Sequence, residues 1–432
     1  MKRITSQTVK EEYFTKTLDN GLKVYLIPKP KFHRTYALFA TRFGSIDIEF
    51  IPDGFSEYLK VPEGIAHFLE HKTFETKDGI DATDLFAKYG ADSNAYTTYD
   101  KVVFLFSCTS HIKENLNILL DFVQNPHFTK ESVLKEQGII EQELKMYLDK
   151  PYTALYNKLL ENMYKKNHVR TDIGGTLSSI KEIDHTILKL CHDTFFHPSN
   201  MSVVVIGNFD LDETMNLIID NQKSKNYNSL PSIKRRYYLE DNIVVEGDTL
   251  SYMDINKPKV GCGIKFDIRG KSNKEIYKNM ICLDILSDIF FDESSDFYNN
   301  LLNEGIIDSS FSYEAYYEPT FAHLLFMVNT DRVDEFKTLL KNELISIKNA
   351  RIEKAVFNRY KKVELANSIA KFNSLEYIAN LMVDLDNIGV ELFDTLDIKN
   401  NITIDDLKKL QNEFDYKAIT FHTIYPRNIN KK

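Results

Sequence analysis

The chain has 432 residues, of which 43% are hydrophobic and 27% charged, and its formal net charge is −9. This length exceeds one ordinary hydrophobic core, so two or more domains are expected. The acidic balance, with both signs interspersed, excludes the basic face that a nucleic-acid-binding protein presents to phosphates. The sequence has no apolar stretch long enough to cross a membrane, and the amino terminus has no apolar core typical of a secretory signal.

The four cysteines predict a reducing compartment. They are scattered along apolar segments and form no CxxC pair: Cys108, Cys191, Cys262 and Cys282. Such cysteines are typical of buried thiols rather than of a disulfide framework or a metal cluster. We therefore expect a cytoplasmic protein.

Strand patterns open the first half of the chain, and helical patterns follow them. The stretches GLKVYLIPKP and TYALFATRFGSID alternate apolar and polar residues, which predicts two strands. A helix is predicted to begin near Pro62, since proline suits a first helical turn. Long amphipathic patterns then predict helices over 111–124, 130–149 and 153–164, before a strand in MSVVVIGNF and a helix in DLDETMNLIIDNQKS.

The same order of patterns returns after a polar, basic segment. Residues 222–240 carry one proline and are the best candidate for an interdomain linker. Beyond this segment the pattern of strands and helices repeats, and EQGIIEQELKM aligns with FNRYKKVELANS so that Glu143 stands opposite Glu364. A duplicated unit explains this repetition, with a coincidence between two unrelated α+β domains as the alternative. The predicted fold is α+β, with two homologous domains (1–221 and 241–432), each a β-sheet backed by helices.

The stretch PEGIAHFLEHKTFE, residues 62–75, holds two histidines four residues apart with a glutamate directly before the second. On a helix, His67 and His71 project from one side a turn apart, where two imidazoles can bind one metal ion. Glu70 lies three residues from His67, beside the same site, where its carboxylate can act on an attacking water. This H-x-x-E-H order is a zinc-peptidase motif. The alternative is a helix with two hydrogen-bonded histidines that face a cleft.

A catalytic zinc site normally takes three protein ligands, so a third must come from elsewhere in the chain. The helix KEQGIIEQELKM offers Glu136, Glu141 and Glu143. Glu136 and Glu143 are seven residues apart and face the same side, whereas Glu141 points away from Glu143 toward solvent. The spacing favours Glu143 as the third ligand, with an ordinary solvent-exposed glutamate as the alternative.

Four stretches in order, GIAHFLEHKTFE, SNAYT, IIEQELKMY and HVRTDIGGT, resemble the pitrilysin superfamily of inverted-motif zinc metallopeptidases. The half-length bacterial YmfH-like branch is similar nearly end to end, and the mitochondrial processing peptidases are relatives of the same superfamily. The resemblance implies one Zn²⁺ per chain on His67, His71 and Glu143, with Glu70 as general base. It also implies that Glu136, seven residues before the last ligand, supports the site.

The resemblance further implies how a peptide is bound. Family members hold the substrate as an extended strand at a sheet edge beside the zinc, and their Asn-Ala-x-Thr edge matches Asn94, Ala95, Tyr96 and Thr97. Main-chain hydrogen bonds at such an edge hold a peptide without demanding particular side chains. An ordinary turn that runs into a strand is the alternative. The expected substrates are peptides or unfolded segments, cleaved inside an enclosed chamber.

The chain departs from the family pattern in its second half. Active relatives use an arginine and a tyrosine near an R-x-x-x-G-L-a-Y stretch, where this chain has LLNEGIIDSSFSYE. Gly305 is present, and Phe311 or Tyr313 could approximate the aromatic residue, but the arginine is missing. We therefore expect a second, zinc-less subunit of the same family to supply the pair, or a homodimer.

Two other classes of function remain as alternatives. A catalytically silent assembly subunit would share the fold without the activity, and a peptide-binding module would use zinc only structurally. Two further stretches have less specific patterns. His197 in FFHPSNM is expected to cap or pack, and His168 and Arg170 in HVRTDIGGT are candidates for substrate contact.

Overall fold

The structure is a computed structural model that describes residues 1–225, 227 and 231–427. The chain forms two compact units. Unit 1 comprises Met1–Leu144, Asp172–Tyr237 and Ile369–Phe393, and unit 2 comprises Lys145–Thr171, Tyr238–Ser368 and Asp394–Lys432, in each case for the described residues. Each unit is an antiparallel-rich sheet backed by helices, which confirms the predicted α+β class.

Fifteen strands occur in the described residues. They are β1 (Lys2–Ser6), β2 (Glu11–Thr17), β3 (Lys23–Pro28), β4 (Thr35–Thr41), β5 (Glu49–Ile51), β6 (Leu59–Lys60), β7 (Asp92–Thr97), β8 (Val102–Cys108), β9 (Met201–Gly207), β10 (Lys234–Arg235), β11 (Asp248–Met253), β12 (Lys259–Lys265), β13 (Ser312–Tyr317), β14 (Ala322–Asn329) and β15 (Ile419–Pro426).

Fourteen α-helices accompany them in the same part of the chain. They are α1 (Ile65–Thr73), α2 (Ala82–Lys88), α3 (Ile112–Gln124), α4 (Lys130–Leu148), α5 (Pro151–Met163), α6 (His185–Phe195), α7 (Leu211–Lys223), α8 (Asn273–Phe291), α9 (Asp296–Asn303), α10 (Val333–Ile347), α11 (Lys354–Lys371), α12 (Leu375–Ile388), α13 (Asp394–Asn401) and α14 (Ile404–Gln411).

The sheet of unit 1 has seven strands in the order β1-β2-β3-β9-β4-β8-β7. Strand β4 is buried along its whole length, with helices α3 and α12 packed against it, and its sequence TYALFAT carries the apolar residues that such a position requires. Leu38 of β4 pairs with Leu105 of β8 on one side and with Val204 of β9 on the other. Strand β7 closes the order at the edge of the sheet.

The sheet of unit 2 repeats this topology. Its order β11-β15-β12-β14-β13 matches the order β3-β9-β4-β8-β7 strand for strand. The directions match as well, because β3–β9 and β11–β15 are the parallel pairs and the others are antiparallel. Two domains with one topology agree with the duplication inferred from the sequence.

The packing units differ from the contiguous ranges 1–221 and 241–432 because one helix of each sequence half packs on the other sheet. Helix α5 belongs to unit 2, where Leu155, Leu159 and Met163 lie against Gly261 and Gly263 of β12. A β-carbon at either glycine would overlap these side chains, so the glycines make room for the helix. In the same way α12, from the second half, packs on β4 and β9 of unit 1.

The predicted linker 222–240 is partly structured. Gln222 and Lys223 finish α7, and β10 pairs with β5 in a small sheet with β6. Arg235 and Tyr237 bind the fully buried Asp47, at 3.0 and 2.7 Å. Positions 226 and 228–230 of the predicted linker lie outside the described residues. Across the part of the chain that the structure describes, none of the helices combines the length and apolarity that a membrane span needs.

Candidate metal centre

Helix α1 carries the H-x-x-E-H motif and is fixed by its apolar side. Ile65, Phe68 and Leu69 are buried in the core of unit 1. His67 and His71 therefore lie on the opposite, half-buried face of the helix. The helix starts at Gly64, which has a left-handed φ of 87° and no side-chain cap. Something other than a capping side chain must therefore hold this end.

A crossing of two backbones holds the start of α1. A β-carbon on Gly64 would overlap the carbonyl oxygen of Gly174, and one on Gly175, at φ 82°, would overlap the carbonyl oxygen of Glu63. The close approach is therefore open only to glycine. Ser179 adds a hydrogen bond of 2.8 Å to the Glu63 carbonyl. The glycines of HVRTDIGGT thus bring this loop onto the metal-site helix.

Helix α4 brings the glutamates to the same place. Val133, Ile140 and Leu144 are its buried residues and fix its rotation. With this rotation Glu136 and Glu143 face α1, in agreement with their seven-residue spacing. Glu141 lies on another side and pairs with Lys181 at 3.8 Å.

Three ligand atoms converge between the two helices. The Nε2 atoms of His67 and His71 lie 3.9 and 3.6 Å from Oε2 of Glu143, and one ligand atom from each residue lies within 4.8 Å of the other two. A tetrahedral zinc with bonds of about 2.0–2.1 Å places its ligand atoms about 3.3 Å apart, which is slightly less than the two distances to Glu143. Two imidazoles and one carboxylate are the donor set of a catalytic zinc. The three residues therefore fit a zinc ion.

Glu136 orients one of the imidazoles. Its Oε1 lies 3.0 Å from Nδ1 of His71, where it accepts the ring proton. The Nε2 lone pair of His71 then points toward the metal position, an orientation that carboxylates behind the ligands commonly impose in zinc sites. The other imidazole differs, because Nδ1 of His67 is buried and has no hydrogen-bond partner among the described residues.

Glu70 lies beside the cluster and has one defined partner. The hydroxyl of Thr97 donates to its Oε2 at 2.5 Å across the gap between α1 and β7. Thr97 is the residue that sequence reasoning missed, since it appears there only as the last position of the Asn-Ala-x-Thr pattern. The alternation of a strand was the available signal, because it places Thr97 and Tyr96 on opposite faces of β7.

Burial and the neighbouring charges separate the two imidazoles. Burial, together with the nearby His71, lowers the pKa of His67 to about 4, so this ring is neutral at neutral pH. Burial also opposes charge on His71, but the hydrogen bond and charge of Glu136, with the charges of Glu143 and Glu70, outweigh it and raise the pKa of His71. Burial raises the pKa of Glu70, partly offset by the Thr97 hydroxyl. A raised pKa makes the carboxylate a stronger proton acceptor.

The three residues predicted to bind substrate occupy different positions on β7. Asn94 is exposed, and its Oδ1 accepts the N–H of Ala95 at 2.9 Å, which marks that amide as turned away from β8. Tyr96 lies on the face of the sheet opposite to that of Thr97, and its hydroxyl bonds Oδ1 of Asn380 on α12. The edge backbone is thus available near Ala95, whereas the Tyr96 side chain is held by the protein itself.

The other candidates are placed as follows. His197 accepts the N–H of Ser199 and caps the short turn Pro198–Asn200, as expected. His168 lies edge-on to Tyr238, with ring centroids 6.0 Å apart, and both belong to unit 2. Arg170 reaches the carbonyl of Lys165 at 3.4 Å in the same unit.

Residues 301–314, which align with the family stretch that carries the arginine and tyrosine, lie in unit 2. Tyr313 donates to Asp288 at 2.8 Å, and Phe311 is buried in the aromatic core beside Phe326. Gly305 follows α9 with a left-handed φ of 67°. Both aromatic residues therefore have structural partners within their own unit.

Comparison with known proteins agrees with this description. The family model "Insulinase (Peptidase family M16)" matches residues 59–177, and "Peptidase M16 inactive domain" matches residues 182–364. A Bacillus subtilis protein described as "Uncharacterized zinc protease YmfH" is 37% identical over 99% of this chain and 100% of its own length. The mitochondrial presequence protease of Schizosaccharomyces pombe is 24% identical over 65% of this chain and 31% of its own.

Solved structures show the same fold. A putative M16-like peptidase from Alicyclobacillus acidocaldarius superposes with a TM-score of 0.92 at 34% identity, covering 96% of this chain and 99% of that one. A protease from Helicobacter pylori gives a TM-score of 0.82 at 18% identity, covering 96% and 100%.

Fold and site define a two-domain α+β protein in which the first domain carries a His-His-Glu cluster that could hold a metal ion, and the second is a related domain in which the described residues form no such cluster. The chain belongs to peptidase family M16, and relatives in that family are named zinc proteases.

Proposed function

We propose that the chain is a zinc metalloendopeptidase that cleaves peptides or unfolded segments. The observation that carries this proposal is the convergence of His67, His71 and Glu143 on one point, with the Glu70 carboxylate beside it. Burial and bonding of these side chains are organised around that point, which a merely structural helix pair does not require.

Each residue has a defined task in this proposal. His67, His71 and Glu143 would hold one zinc ion, and Glu136 would keep the proton of His71 on Nδ1. A zinc ion in this place supplies a Lewis acid for the scissile carbonyl and lowers the pKa of adjacent water. Glu70 accepts a proton from the attacking water and returns it to the leaving amine nitrogen, so the carboxylate is regenerated at the end of the cycle.

The substrate would bind as an extended strand along the outer edge of β7. The N–H of Ala95 faces that edge and is bonded by Asn94 in the free protein, so a substrate carbonyl would take over a bond already made. Main-chain pairing of this kind tolerates many side chains. This agrees with unfolded segments as the substrate class.

We further propose that the active form is a heterodimer with a zinc-less subunit of the same family. Residues 301–314 contain no arginine, and Tyr313 and Phe311 are engaged within their own unit. The partner would then supply the donors for the oxyanion. Full peptidase activity of the purified chain as a monomer would contradict this part of the proposal, and recovery of a homodimer would favour the alternative in which a second copy fills the role.

The experiment that tests the enzyme is the replacement Glu70→Gln, which keeps the shape of the side chain and removes its basicity. We expect turnover of a fluorogenic unfolded peptide to fall by about 10²–10⁴-fold, the range of general acid–base catalysis. Zinc measured per purified chain should stay the same. A silent assembly subunit would show neither stoichiometric zinc nor turnover, and a structural zinc would give a variant with the same behaviour as the parent.

A further inference from the structure

One face of α12 holds the hairpin formed by β7 and β8. Asn380 accepts the Tyr96 hydroxyl, Asp384 pairs with Lys101, and Asn387 donates to Oδ2 of Asp100 at 3.0 Å. The three helix positions are spaced by four and three residues, so they lie on one face. All of these residues belong to unit 1. A helix from the second half of the sequence thus contacts both the strand and the turn of this hairpin.

The contacts to the turn centre on a largely buried lysine ammonium. The Lys101 side chain is only 11% exposed and lies between Asp384 of the helix and Asp100 of its own turn. A buried ammonium without its partners would carry a desolvation cost that these two carboxylates offset. The ion pair of Lys101 with Asp384 therefore holds the β7–β8 turn against α12.

The helix itself has a firm base on the sheet. Asp386 accepts bonds from Lys23 at 2.6 Å, Tyr25 at 2.7 Å and Arg42 at 3.0 Å, and these side chains come from β3 and from the end of β4. Ser374 caps its start and Gly389 ends it in a left-handed conformation. The contacts of α12 with the hairpin are thus contacts with a fixed element.

Strand β7 links α12 to Glu70 through two consecutive side chains. Tyr96 and Thr97 are consecutive, so their side chains leave the strand on opposite faces. The Tyr96 hydroxyl goes to α12, and the Thr97 hydroxyl goes to Glu70 at 2.5 Å. Within the described residues β7 is paired on one side only, with β8. The hydrogen bonds to β8 therefore fix one edge of β7. The bond from Tyr96 to α12 restricts movement of β7 perpendicular to the sheet.

We propose that α12 is a positioning element for the metal-site half, acting through Asn380, Asp384 and Asn387 on the β7–β8 hairpin. It keeps the Thr97 hydroxyl in reach of Glu70 and keeps the outer edge near Ala95 aligned for a peptide. The inference deepens the proposed function and rests on it for its catalytic consequence. Its structural part, the fixing of the hairpin, is independent of any activity.

Two variants test the link and a third controls for it. Tyr96→Phe removes only the hydroxyl that reaches α12, and Asn380→Ala removes its acceptor. Asn380 also hydrogen-bonds Tyr36, so Tyr96→Phe is the cleaner of the two. The control is Glu376→Gln, one turn before Asn380 on the same helix, whose side chain bonds the exposed Arg34 and the capping Ser374.

We expect both variants to fold and to bind zinc as the parent does, while amide hydrogens of residues 92–101 exchange about tenfold faster. Turnover should fall about 10- to 100-fold with less change in KM, since a small misplacement of a catalytic group has effects of this size. Asn380→Asp, which keeps an oxygen acceptor for Tyr96, should restore most of both losses. The control should stay within about twofold of the parent in every measurement.

Unchanged exchange in residues 92–101 for both Tyr96→Phe and Asn380→Ala would overturn the proposal. Equal losses in the Glu376→Gln control would also overturn it, since they would show a general effect on the helix. If the parent cleaves no peptide, the proposed function fails. The exchange comparison then still decides whether α12 fixes the hairpin.

Discussion

The two homologous units place a glutamate at equivalent points and give it different partners. Glu143 of α4 faces two imidazole nitrogens at 3.6 and 3.9 Å. Glu364, 221 positions later on α11, accepts the Nζ of Lys399 at 2.6 Å, and Lys399 also bonds Ser368 at 2.6 Å. One carboxylate belongs to a cluster that could hold a metal ion, and the other is paired with an internal ammonium. An equivalent helix position therefore does not specify a metal site, and the difference lies in the neighbouring helices.

The first helices of the two halves also begin differently. Helix α1 has no capping side chain and relies on the glycine crossing at Gly64. Helix α8 begins with a capping box in which Ser272 and Glu275 satisfy each other's backbone N–H groups. The start of α8 is thus stabilised locally, whereas the start of α1 depends on a distant loop. The metal-site helix is tied to tertiary structure at the end that carries His67.

The largest effect should follow from removal of the predicted third ligand. We expect Glu143→Gln to weaken zinc binding by more than about a hundredfold, beyond the range seen for residues that only support a ligand, because a neutral amide replaces an anionic ligand. The equivalent Glu364→Gln should keep the parental zinc content. Metal analysis of both purified variants after gel filtration gives the answer. Equal zinc loss in the two variants would remove the asymmetry between the units.

The ammonium of Lys399 should matter to stability and not to metal. Its side chain is 9% exposed, so Lys399→Met leaves the carboxylate of Glu364 without its buried counter-charge. We expect the free energy of unfolding to fall by about 3 kcal/mol, the lower end for a broken buried pair. Urea denaturation followed by circular dichroism measures this loss. The exposed Lys408→Met should change it by less than about 0.5 kcal/mol, and a similar loss in both variants would contradict the prediction.

Glu136 should have an intermediate effect, restricted to the metal. Glu136→Gln replaces the anionic acceptor of the His71 Nδ1 proton by a neutral one. Zinc affinity should drop about 10- to 100-fold, as measured by competition with a chelator. The neighbouring Glu141→Gln, whose partner is Lys181, provides the matched control and should not shift the competition curve. An unchanged zinc affinity of Glu136→Gln would contradict the supporting role of Glu136.

The smallest effect should come from the local cap of α8. Ser272→Ala removes the hydroxyl that accepts the N–H of Glu275 and should cost about 1 kcal/mol of stability. Zinc content should remain at the parental value. Thermal unfolding measures this loss. Ser346→Ala, at the exposed end of α10, is the control for a serine that caps no helix. Metal loss in Ser272→Ala would contradict the local character of this cap.

Several features of this protein were determined by the sequence alone. The spacing of His67 and His71 places two imidazoles on one helix face, and the seven-residue spacing of Glu136 and Glu143 places both on one side of another helix. Alternating and helical apolar patterns indicated the α+β class, and the repeated order of elements indicated the duplication. These are short-range periodicities, so they can be followed along the chain without knowledge of its fold.

The tertiary structure decided which surfaces meet. The amphipathic patterns of α5 and α12 define an apolar face, but a periodicity carries no information about which sheet that face covers, and both helices pack on the sheet of the other sequence half. Likewise, periodicity along the chain does not show that the Tyr96 side chain contacts α12 or that the Thr97 side chain contacts Glu70. Contacts between residues far apart along the chain depend on the whole chain topology. The sequence thus identified the groups of the candidate metal centre, and only the folded chain showed what holds them in place.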